Sequence, residues 1–190
     1  MSYERAKALM AKGVSRPTLY RVNLPIGSKA REFAEFYCKA TSIPDVRLET
    51  ASINGQENMG IVRQQPTSMI FGKPFSMTII ESKEFNVYKE LRDWMNTTTQ
   101  AANQEIGQTR NQRMFYYDSY TRDFTLFKME QPDRQSQSSY DVPLVIKFIR
   151  AYPVSISAVS LASDSYDIPT EFTVDFTYES YSIENPRDYE

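Results

Sequence analysis

Histidine is missing from all 190 residues. Its absence removes the commonest general base, the commonest zinc nitrogen ligand and any Ser-His or Cys-His nucleophile pair. Glycine is scarce, at 6, and neither a GxxxxGK nor a GxGxxG phosphate loop occurs. Cysteine occurs once, which excludes an internal disulfide framework and fits a reducing compartment. No calcium loop of closely spaced acids is present; Asp164 and Asp167 mark only a turn. The remaining acids are scattered, without the paired carboxylates of glycosidase chemistry. Lys and Arg are dispersed and the net charge is −2, so the concentrated basic surface that binding to nucleic-acid backbone requires is also lacking. No apolar run approaches the roughly 18 residues of a membrane helix. The start, Met1-Ser2-Tyr3-Glu4-Arg5, carries no apolar signal core. These absences predict a protein that stays in the cytoplasm, with no catalytic residues, no cofactor and no metal.

Aromatic residues are plentiful: 13 Tyr and 11 Phe, 13% with the lone Trp. They favour strands and interfaces. The length suffices for a single domain, 1–190, with a real core. Residues 2–12 read as a short helix, with Tyr3, Ala6, Leu9 and Met10 on one face. Residues 18–24 alternate as a strand, residues 26–32 read as a polar connection, and residues 33–41 read as a second strand. Cys38 lies in the apolar-rich run 33–40, which favours a buried structural thiol over a reactive one.

Residues 45–65 read as a hairpin around Asn54-Gly55, the strongest short turn signal. Its arms are dense in polar side chains, among them Arg47, Glu49, Glu57 and Arg63. A loose surface loop and an arm that orders against a neighbour are both open readings. Residues 75–81 read as a strand. Residues 84–97 then form an amphipathic helix with Phe85, Tyr88, Leu91, Trp94 and Met95 as its apolar stripe. That stripe reads as packing on a sheet, with a ligand pocket as the alternative. Residues 100–113 and 131–141 are polar surface loops. Strands are predicted over 114–120, 124–129 and 142–152, and a long turn region over 153–168. The strand over 170–178 sets Phe172, Val174 and Phe176 against Glu171, Thr173, Asp175 and Thr177. The fold class is mainly β (α+β), sandwich- or barrel-like, with one packed helix and a protruding hairpin. A surplus of strand edge and aromatic surface points to self-assembly.

Two stretches open the chain: Arg16-Pro17-Thr18-Leu19-Tyr20-Arg21-Val22 and Tyr37-Cys38-Lys39-Ala40-Thr41-Ser42-Ile43-Pro44. The helix around Trp94 and alternating terminal strands follow. This order resembles the tail tube protein of contractile-tailed bacteriophages, relatives of type VI secretion tube proteins, over residues 12 to 183. The first stretch is similar to that family's RPNLF-like segment and the second to its CKATxLP-like segment. The resemblance implies a structural subunit whose strands join an inner barrel around a hexameric ring. The helix would lie outside, and a hairpin carrying Arg47, Glu49, Asn54, Gly55, Glu57 and Arg63 would bridge rings. Rings would stack into the channel through which DNA leaves, without specific DNA binding, and sheath and baseplate proteins would be partners. Glu171, Asp175 and Glu179 would face the lumen; a place outside the tube or between subunits is the alternative. The polar stretches read as insertions, which leaves room for a tube initiator or tail terminator of the same fold. A monomeric β-barrel that binds a ligand is the reading from another class.

Overall fold

The computed structural model describes residues 15–53, 62–98, 115–130, 141–161 and 168–185. The expected helix over 2–12, the loop over 100–113 and nearly all of 131–141 lie outside them. The fold is mainly β. Its strands are β1 Tyr20–Asn23, β2 Cys38–Thr41, β3 Val46–Ile53, β4 Arg63–Phe71, β5 Phe75–Ile80, β6 Arg122–Glu130, β7 Asp141–Ile156, β8 Glu171–Thr177 and β9 Ser180–Glu184. The helices are α1 Ser28–Tyr37, α2 Asn86–Thr98 and the single turn α3 Tyr117–Tyr120.

The long strand β7 joins two sheets. Its first part lies between β6 and β9, and β1 extends that sheet beyond β6. Its last part, from Tyr152 to Ile156, pairs with β8, which continues through β5 to β2. All of these pairings are antiparallel, and among the described residues the path is open and no barrel closes. Strand β7 bends at Arg150, whose φ of 51° is left-handed. Such a backbone costs a side chain ~1–2 kcal/mol. Here it is held from several sides. Arg150 N donates to Asp123 Oδ1 at 3.0 Å, its guanidinium reaches Glu179 at 3.2 Å and Asp118 at 3.4 Å, and Tyr117 Oη donates to its carbonyl.

Alternation along the strands sends large apolar residues into the space between the sheets. Phe75, Phe148 and Phe176 are fully buried there with Phe124. Phe148 lies 4.6 Å from both Phe75 and Phe124, centroid to centroid. Each buried side chain of this size contributes ~1.5–3 kcal/mol by leaving water. Helix α2 packs over this cluster through Val87, Leu91 and Trp94, spaced four and three residues apart on one face. Trp94 meets Phe176 at 5.9 Å and Tyr88 meets Phe172 at 5.6 Å. The indole N–H of Trp94 donates to the Tyr120 carbonyl at 2.7 Å and ties α3 down. Glu81, itself buried, accepts from the backbone N–H of Tyr88 at 2.8 Å and Val87 at 3.4 Å. Its carboxylate therefore caps α2 from outside the helix. Thr97 and Thr98 hydroxyls turn back onto the carbonyls of Trp94 and Met95, both at 2.6 Å, as the helix ends.

Several elements differ from the sequence reading. Residues 28–37 are helical, where a polar connection and most of a strand were expected; only Cys38–Thr41 is extended. Ala30 and Ala34, one turn apart, are the buried face of α1. Phe33 and Tyr37, also one turn apart, stack at 4.3 Å. Gly27 lets the start of α1 approach α2: a Cβ there would stand 2.7 Å from Glu90 Oε1. Phe85 precedes α2 in a left-handed conformation, φ 55°, so it is not part of the helical stripe. Residues 117–120 form a helical turn instead of a strand. Strand β7 runs through Pro153 to Ile156 into the expected turn region. Strand β9 went unrecognised.

Candidate interaction surfaces

Among the described residues, strands β3 and β4 pair only with each other, as a separate two-stranded sheet. Val46 opposes Phe71 and Leu48 opposes Met69, so these four share one face. Leu48 and Met69 are 60% and 56% exposed, an apolar strip left uncovered by the described residues. The other face carries Arg47, opposite Ile70, and Glu49, opposite Ser68. Glu49 accepts from the Ser68 hydroxyl at 3.0 Å, Arg47 pairs with Asp45 at 2.9 Å, and Arg63 opposes Ile53. Asn54, Gly55 and Glu57 lie outside the described residues. The sequence reading stopped the hairpin at residue 65 and missed Met69 and Phe71. Their alternation in step with Val46 and Leu48 is the signal that would have found them.

At the root of the hairpin Gly72 N donates to the Asp45 carbonyl at 2.8 Å. Two tyrosines reach it from the corner between β8 and β9. Tyr178 Oη donates to the Gly72 carbonyl, and Tyr181 Oη donates to the Pro44 carbonyl at 3.0 Å.

The second surface is the β7–β8–β5–β2 sheet. Phe172, Val174 and Phe176 point into the core. The opposite face carries Glu171, Thr173 and Asp175 of β8, with Ser76 and Thr78 of β5 beside them. Every one of these groups has a partner. Glu171 pairs with Lys39 at 2.6 Å. Asp175 accepts from Ser76 and Ser155 hydroxyls, each at 2.6 Å. Thr78 and Thr173 hydroxyls share a hydrogen bond of 3.1 Å. Glu179 is not on this strand face; it sits in the corner past β8 with Arg150. The face is therefore rich in hydroxyls; Glu171 has a cation partner, and Asp175 is held by serine hydroxyls. Among the described residues, no strand covers the outer edge of β2 or the outer edge of Tyr152–Ile156.

The two opening stretches meet at an open groove of about 310 Å³, lined by Pro17, Tyr20, Thr41, Ile43 and Leu126 with Lys128 at its rim. Lys128 donates to Glu130 at 2.8 Å, and that hydrogen bond, with the Ser15 hydroxyl, holds the Glu130 carboxyl down at about 2. Nearby, Tyr20 Oη donates to the Cys38 carbonyl at 2.9 Å. Burial pushes the Cys38 thiol up to about 11, so it is a neutral packing group and not a thiolate nucleophile. Among the described residues no cluster of His, Cys, Asp or Glu is arranged to hold a metal, and no helix is long and apolar enough to cross a membrane.

A family model described as phage tail tube protein matches residues 10–184. A comparison with curated protein sequences finds no match. Among solved structures, a chain of the PVC sheath-tube complex of an extracellular contractile injection system, in the extended state, is 14% identical. It has a TM-score of 0.50 and covers 97% of this chain and 98% of that one. A chain of the PVC sheath/tube terminator in the extended state is 12% identical, with a TM-score of 0.54 over 90% and 97%. A chain of the six-fold symmetrised baseplate of the anti-feeding prophage is 10% identical, with a TM-score of 0.54 over 90% and 98%. At such identities the likeness is one of fold.

Proposed function

The chain belongs to the phage tail tube protein family, and from that premise we propose that it is the non-catalytic subunit of a tail tube built of stacked hexameric rings. One observation carries the ring: among the described residues the β7–β8–β5–β2 sheet has two uncovered edges and a water-compatible outer face. Neighbouring strands in it alternate in direction, so β2 and the end of β7 run opposite ways. Rotation about a ring axis preserves strand direction. The β2 edge of one copy therefore meets the Tyr152–Ile156 edge of the next antiparallel, and the pattern repeats until the ring closes. Six copies follow the symmetry of the baseplate assembly that supplies one of the similar folds.

In this arrangement the face with Glu171, Asp175 and the hydroxyls lines the channel, and α2 lies outside. Glu179 sits at the rim of that wall. DNA passes without specific binding, because a wall of hydroxyls and carboxylates offers phosphate no cluster of cations. The hairpin, with its apolar strip and with Arg47, Glu49 and Arg63 on the other face, bridges to the next ring. Sheath and baseplate proteins are the partners, the subunit assembles in the host cytoplasm, and its final place is the virion tail. A second reading places the subunit at one end of the tube, since similar folds include a chain of a sheath/tube terminator. Sedimentation and negative-stain microscopy, with and without a baseplate as template, test both. Long tubes support the tube body. Single rings that never elongate support the end position. A strict monomer in every condition, template included, contradicts self-assembly; a barrier to unnucleated growth does not.

A further inference from the structure

We propose that Tyr178 and Tyr181 form a two-point clamp that fixes the direction in which the hairpin leaves the body. The hairpin shares no ladder with any other described strand. Its two legs are instead held one by one. The Tyr178 hydroxyl holds the Gly72 carbonyl behind β4, and the Tyr181 hydroxyl holds the Pro44 carbonyl ahead of β3. One hydrogen bond would leave a swivel; two on opposite legs remove it. The Tyr181 ring adds an edge contact to Phe71 at 5.1 Å.

The clamp stands on a rigid base. Tyr178 is fully buried, and the buried Phe148 ring lies 5.1 Å from Tyr178 and 5.9 Å from Tyr181. Between the two tyrosines, Glu179 N donates to the Ile149 carbonyl at 3.0 Å, and the Glu179 carboxylate meets Arg150 at the bend of β7. The corner that aims the hairpin is thus the corner that sets the angle between the two sheets. Burial pushes the Tyr178 phenol up to about 12, so the donor stays protonated across any physiological pH. That ring closure and stacking are coupled through this corner rests on the tube reading; the clamp itself does not.

Electron-electron distance measurements on the free subunit test the clamp without assembly. Spin labels go on Ile70→Cys, beside the root, and Arg92→Cys, on α2, in a Cys38→Ala background. With both hydroxyls present, one narrow distance distribution is expected. Tyr178→Phe with Tyr181→Phe keeps both rings and removes both hydroxyls, and the narrow distribution should be lost. If the double variant does not fold, Tyr181→Phe alone carries the test with a partial broadening. An unchanged narrow distribution, or a broad one with both tyrosines intact, overturns the clamp. Tube assays on the same variants then report on the functional reading separately: lost aim with normal tubes uncouples the corner from stacking.

Discussion

At the residue scale, the buried carboxylate of Glu81 is the most exacting group in the described chain. It is 8% exposed and takes three backbone N–H groups, that of Ser82 beside it and those of Val87 and Tyr88 at the positive end of α2. Removing it leaves the buried Val87 N–H and the half-buried Ser82 and Tyr88 N–H groups without that acceptor. Glu81→Ala should cost ~1–3 kcal/mol in urea unfolding, the range for leaving buried polar groups unpaired. Glu81→Gln keeps an acceptor oxygen and should cost less. Equal stability of all three proteins would show that water replaces the cap. Glu130 gives a second residue-scale outcome. Its carboxyl is held at about 2, below its ordinary 4.5, by the Lys128 hydrogen bond first and the Ser15 hydroxyl next. A depressed value means a contribution that is present above the ordinary pKa and is lost as pH falls toward the folded one. Carboxyl NMR should find Glu130 still ionised near pH 3, where an ordinary glutamate is protonated, and Lys128→Met should move its titration part of the way back up, the Ser15 and Arg16 hydrogen bonds remaining.

At the element scale, β3 and β4 are the least supported strands. A lone two-stranded hairpin is marginal in water, and ordering backbone costs ~1–2 kcal/mol per residue. Amides of these strands away from the root should exchange quickly in the free subunit and slow sharply in the tube. Equal protection in both states would count against a bridging role. Deleting residues 52–60 should leave the body folded and abolish long tubes. The same scale shows what could be read in advance. The faces of β8 follow from strict alternation at Phe172, Val174 and Phe176. The α2 stripe follows from Leu91 and Trp94, although Val87 was overlooked and Phe85 wrongly included. Helix α1 was lost because Phe33, Phe36 and Tyr37 imitate strand composition, while its real seam is only Ala30 and Ala34. Tyr178 and Tyr181 gave no sign in sequence of reaching Gly72 and Pro44, more than 100 positions away. Long-range hydroxyl contacts leave no periodic mark.

At the scale of the whole molecule, the two edges left uncovered among the described residues and the hydroxyl-rich face between them are what the proposed ring uses. In the proposed channel, charge on that face would act on passing DNA. Asp175→Asn keeps one acceptor oxygen for one serine hydroxyl and presents its NH2 to the other, which can turn to accept, and should release DNA normally. Asp175→Lys should still form tubes but slow release, most at low salt, where phosphate attraction is least screened. Release independent of the substitution and of salt would place the residue away from the channel. The central claim is the pairing of β2 with the end of β7 between copies. A cryo-EM reconstruction of tubes grown on a baseplate template tests it most directly. The account predicts Cys38–Thr41 of one subunit antiparallel to Tyr152–Ile156 of the next, with Asp175 on the inner wall. A tube in which those two edges do not meet, or in which Asp175 faces outward, would contradict it.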